Sequence, residues 1–101
     1  MELQIEAQNI TMRNTWQEKI EQEKEKLSHH HAGLLHHLRV TIEGTMHHKE
    51  GGYEVRLVAT IPNDTVVVKR KGEDCRALIV DAFDVLSLQL KEEQRKKKKH
   101  A

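Results

Sequence analysis

Five of the chain's eight histidines fall in the stretch "LSHHHAGLLHH", residues 27–37. Histidine density of this kind first suggests a metal centre, so the spacing has to be tested. A metal needs ligands that converge in space. His29, His30 and His31 are consecutive and fan around a helix end, so at most two can meet. No pair spaced one helical turn apart with a carboxylate partner stands out. His36 and His37 fall on opposite sides of a strand or its lead-in. The spacing therefore predicts no metal site and no cofactor. Two simpler chemistries remain. Imidazole is favourable at a helix C-terminus. With a reference pKa of about 6.5, it also gains positive charge as pH falls. The cluster reads as a polar helix-end rim beside Lys26, suited to an anion.

The other reactive candidates are few. Cys75 is the chain's one cysteine, which excludes an internal disulfide and a cysteine-based zinc site. A helix N-terminus would favour its thiolate, but Glu73 and Asp74 oppose it. There are no paired carboxylates on an apolar background, no glycine loop for phosphate and no nucleophile motif. No catalytic residue is assigned, and enzyme chemistry is not expected. The cations are more informative. Lys69, Arg70 and Lys71 form a run at a strand-to-helix junction, with Arg76 just beyond. A second run, "RKKKKH", stands at the end of the chain before Ala101. Both suit phosphate; the alternative for each is a solvated turn or terminus. From Thr65 onward ten Lys/Arg face six Asp/Glu, whereas residues 1–64 hold seven against ten. The net charge of +1 hides this asymmetry. Only Trp16, Tyr53 and Phe83 are aromatic, too few for a protein that reads single-stranded bases by stacking.

The elements that must position these residues follow from hydrophobic period. The 101 residues suit one domain with a modest core. "LQIEAQNI" alternates, as a half-buried strand does. "NTWQEKIEQEKEKLSHHHAG" changes to helical period, with Trp16, Ile20 and Leu27 on one face. Asn14 or Thr15 is expected to cap it, and Gly33 to stop it. Its Glu/Lys mixture reads as a solvated face. "LHHLRVTIE", "YEVRLVATI" and "TVVVKRK" are three further strands. The loop "GTMHHKEGG" and the turn "PND" separate them, so they form an antiparallel meander. A second helix carries Cys75, Ile79, Ala82, Leu86 and Leu90 as its core stripe. Val80, Val85 and Leu88 lie off that stripe, either packed under loops or forming a protein contact surface. The helix is expected to fray within Arg95–Lys99, where like charges repel. The division is thus an α+β domain over 1–93 and a basic tail over 94–101. The order β-α-β-β-β-α predicts a two-layer sandwich, a four-stranded sheet with two helices on one face. A right-handed crossover makes the first two strands parallel if they are neighbours. No apolar run reaches the length of a membrane span. The start "MELQIEAQ" lacks the features of a signal peptide, so a reduced cytoplasmic location is expected.

This order and these motifs resemble the ribosome hibernation-promoting factors, also called ribosome-associated inhibitors or sigma-54 modulation proteins, over about residues 2–93. The resemblance rests on "LQIEAQNI", on a first helix ending in Lys26-Leu27, and on "PNDTVVVKRKGED". The second helix, "ALIVDAFDVLSLQLK", is similar to the family's helix ending in Gln-Leu-x-Lys. The resemblance implies a fold similar to the double-stranded RNA-binding domain. It implies binding to the small ribosomal subunit in the decoding region, and inhibition of translation in stressed or resting cells. Basic side chains would meet ribosomal RNA. Lys26 and Lys71 match the family's basic positions, and Lys91 falls near the basic end of the second helix; Lys69, Arg70 and Arg76 are added from local charge. The chain has the extent of the family's short type, acting as a monomer or weak homodimer. It departs from the pattern at Lys24, usually apolar, at Cys75-Arg76, usually a Met-Tyr-like pair, and at Leu88, usually arginine. Two other readings compete: a protein-interaction module using an exposed apolar second helix, and a generic double-stranded RNA binder.

Overall fold

The computed structural model describes residues 2–31, 33–45 and 52–99, with side chains to Arg95. Six elements follow in the order β1 (Glu2–Gln8), α1 (Asn14–His30), β2 (His37–Gly44), β3 (Tyr53–Ile61), β4 (Asp64–Gly72) and α2 (Cys75–Lys99). The four strands form one sheet in the order β1-β2-β3-β4. β1 runs parallel to β2, with Leu3 opposite Leu38 and Ile5 opposite Val40. A parallel pair cannot close through a tight hairpin, so α1 serves as the crossover between them. The other two pairings are antiparallel. Between β3 and β4 the chain reverses in two residues. Pro62 fixes its own φ and Asn63 takes φ of 66°, the pairing of a type II turn. Thr45 N–H donates to the Gly52 carbonyl at 3.2 Å, closing the β2–β3 connection. The rest of the loop "GTMHHKEGG", residues 46–51, lies outside the described residues, as does His100.

Strand alternation sorts the side chains onto two faces. On one face Leu38, Val40, Ile42, Val55, Leu57 and Ala59 are fully buried, and Val66 and Val68 join them from β4. α2 lays Cys75, Ile79, Ala82, Leu86 and Leu90 on this face, the stripe read from the sequence. Leu78 and Phe83 are buried as well. α1 adds Trp16, Ile20 and Leu27, with the Trp16 ring edge-on to Tyr53 at 5.6 Å.

Three expectations about helix ends change. Neither Asn14 nor Thr15 caps α1. Arg13 is the cap residue, in extended backbone and without a side-chain cap bond. Its carbonyl accepts from Trp16 and Gln17, and its guanidinium lies 5.1 Å from the Trp16 ring. The helix thus starts one residue early, and the contact that accompanies this start is local, between residues three apart. At the other end Gly33 is not the stop: His31 is the cap residue, and Gly33, with φ of 84°, lies in the turn beyond it that the Leu34 N–H closes on the His31 carbonyl at 3.2 Å. α2 continues to Lys99 instead of fraying after Gln94. Glu92 and Arg95 pair at 3.7 Å one turn apart, and cations at a helix C-terminus complement its dipole.

Candidate nucleic-acid interface

The six candidate cations separate into distinct places. Lys69, Arg70 and Lys71 do not form a junction outside the sheet; all three lie within β4, where alternation parts them. Lys69 and Lys71 are exposed on the open face of the sheet, opposite Arg56 and Glu54 of β3. That face is largely self-neutralised, since Arg56 reaches Glu54 at 3.5 Å and Glu43 at 3.9 Å. Arg70 points to the helical side and pairs with Asp81 of α2 at 3.2 Å. Its charge is used to tie strand to helix. Arg76 is exposed in the first turn of α2.

Lys26 and Lys91 come together, although 65 positions separate them in the sequence. Both line a groove of about 270 Å³ between α1 and α2. His30 joins them from the last turn of α1. Leu27 and Phe83 give the groove an apolar floor, and both are buried. Two carboxylates, Glu23 and Asp84, complete the lining with Ser87.

Glu23 is the residue that sequence reasoning missed. The Glu/Lys mixture of α1 reads as a solvated face, yet Glu23 within it is 6% exposed. It occupies the inward stripe between Ile20 and Leu27. Lys26 is its ion-pair partner, Nζ to Oε2 at 3.3 Å, and Lys26 is itself 70% exposed. The signal was available: Trp16, Ile20, Glu23 and Leu27 follow the spacing of one helix face.

The histidine cluster also divides. His29, His30 and His36 are exposed, and His37 is half-buried beside Glu2, 3.5 Å from its carboxylate. His31 is 2% exposed and therefore is not part of a rim. Its Nε2 lies 3.2 Å from Ser87 Oγ, joining the end of α1 to the middle of α2. Nδ1 is buried without a partner. Burial pushes the ring's pKa below its ordinary value. Repulsion from His30 and Lys91 adds to this, and the Gln94 side chain pulls the other way. Among the described residues no group of three or more His, Cys, Asp or Glu is arranged to hold a metal ion. The Cys75 thiol is buried, and desolvation followed by Asp74 pushes its pKa up to about 12.

Comparison with known proteins places this geometry. The family model for sigma 54 modulation protein / S30EA ribosomal protein matches residues 3–98. The chain belongs to this family. The kinship first visible in "PNDTVVVKRKGED" therefore extends over nearly the whole sequence. Two solved structures share the family fold. One is a ribosomal subunit interface protein from Coxiella burnetii, with a TM-score of 0.80 at 12% identity, covering 94% of this chain and 99% of that one. The other is the Protein Y N-terminal domain of Thermus thermophilus, with a TM-score of 0.75 at 19% identity, covering 91% and 98%. At these identities the likeness is one of fold. No curated protein sequence matches the chain.

Proposed function

We propose that this chain binds the small ribosomal subunit near its decoding region and inhibits translation there, as a cytoplasmic factor without catalysis. Membership of the S30EA family over residues 3–98 carries the reading. The distribution of cations supports it. Lys26 and Lys91 flank one groove, Arg76 is exposed in the first turn of α2, and Lys69 and Lys71 stand on the open sheet face. A partner made of RNA that encloses the molecule can use both faces, whereas a straight duplex meets one. Among the described residues no helix is long and apolar enough to cross a membrane.

The protein-interaction alternative needs an apolar surface on α2. Val85 packs against the core instead, and Val80 is half-buried. Leu88 stays 62% exposed, but single exposed apolar residues are ordinary on protein surfaces. The deciding experiment is sedimentation of the protein with small subunits, large subunits and a duplex RNA at two salt concentrations. Selective co-sedimentation with small subunits, weakening as salt rises, is expected. Equal binding to all three, or binding to none, overturns the proposal.

A further inference from the structure

The interhelical groove has a composition that phosphate binding does not explain. Two ammonium groups, Lys26 and Lys91, face two carboxylates, Glu23 and Asp84. Such a lining is close to neutral, so the interior of the groove does not favour a phosphate, while the exposed ammonium groups can still meet one outside it. A buried carboxylate is also costly where an apolar residue would fit, and replacing an ion pair by apolar packing is often stabilising. Glu23 holds an inward position on α1, yet its partner Lys26 is mostly in solvent. The groove thus offers an apolar floor, a carboxylate buried in its wall, and exposed cations at its rim.

We propose that this groove takes one unpaired guanine of the bound RNA, with Glu23 accepting hydrogen bonds from the base. The inference rests on the RNA-binding function proposed above and deepens it. A nucleobase is uncharged, has apolar faces and carries polar groups on one edge. RNA is read in sequence-dependent fashion through bases splayed out of the helix, by hydrogen bonds to that edge. The groove's volume of about 270 Å³ admits one base. Leu27 and Phe83 meet its apolar surface. Among the four bases, guanine alone presents two adjacent donors on its Watson–Crick edge, the ring N1–H and the exocyclic amine. A carboxylate accepts both at once. Adenine and cytosine set a bare ring nitrogen beside their amine, which repels a carboxylate, and uracil flanks its one N–H with carbonyls. Lys26, joined to Glu23 by one flexible contact, is placed to move to a flanking phosphate as the base enters. Lys91 stands on the opposite wall for the phosphate on the other side.

The test uses single-stranded RNA pentamers with a central guanine, inosine or adenine between uridines, titrated into the whole protein by fluorescence anisotropy. Guanine is expected to bind about tenfold tighter than adenine, the discrimination of one bidentate pair. Inosine, which lacks the amine, falls between them. Glu23→Gln keeps the side chain's shape but presents one acceptor and one donor, and is expected to erase the preference. In wild-type protein, guanosine monophosphate should shift the amide resonances of residues 23–30 and 83–91 more than adenosine monophosphate does. Equal affinity for guanine and adenine overturns the inference, as does a preference that survives Glu23→Gln. The same preparations are sedimented with small ribosomal subunits. Ribosome binding without guanine preference overturns the groove assignment alone. Guanine preference without ribosome binding leaves the groove standing and overturns the ribosomal function.

Discussion

Burial gives His31 a task different from that of its neighbours in the cluster. The folded protein resists a proton on this ring, because burial, His30 and Lys91 all disfavour the charge. The unfolded chain accepts that proton near the ordinary pKa of 6.5. Below that value the unfolded state holds more protons, so stability falls as pH drops; above it the contribution is fully present. Thermal melting from about pH 7.5 to about pH 5.5 should therefore show a declining Tm, and His31→Gln should flatten the decline. His29 and His30 are exposed instead. Three adjacent histidines thus divide between surface and core, and exposure alone separates them.

Among the elements, α2 depends on its first turn. Asp74 Oδ1 accepts from the Ala77 N–H at 3.3 Å, and the Leu78 N–H donates to the Asp74 carbonyl. Asp74→Ala should cost about 1 kcal/mol in a denaturant titration, the usual loss of an N-cap. The sequence placed an anion there through the dipole; the cap bond is the stronger reason. At the end of β2, Gly44 lies under the Ile10 side chain, and a Cβ would collide with it. Gly44→Ala should destabilise by about 1–3 kcal/mol in the same titration, as overpacking does. This constraint was not legible beforehand, because Ile10 follows β1 and Gly44 closes β2. Only the parallel pairing of those strands brings them together. The pairing of Arg70 with Asp81 is hidden because it depends on how α2 packs across β4. A basic triplet looks like one patch until the strand's alternation sends its middle member to the helices.

At the scale of the whole molecule, the candidate cations occupy two faces with the core between them. Charge reversal at Lys26 and Lys91 and charge reversal at Lys69 and Lys71 are therefore separate experiments. Under an enclosing RNA partner each pair should weaken small-subunit binding. Each should also lower the salt slope by about 0.7–0.9 for every phosphate contact removed. Sedimentation across a salt series measures both slopes. The element order, the inward stripes of α2, β2 and β3, the Pro62-Asn63 turn and the family kinship were all legible in the sequence. Each depends on residue type and local period, which neighbours along the chain supply. What only the tertiary structure decided were long-range meetings. Lys26 and Lys91 share a groove, His31 is sealed against Ser87, and Arg70 is tied to Asp81. Glu23 stands between the two kinds. Its inward position follows from helical period, but its place in the wall of a groove required α2 on the other side.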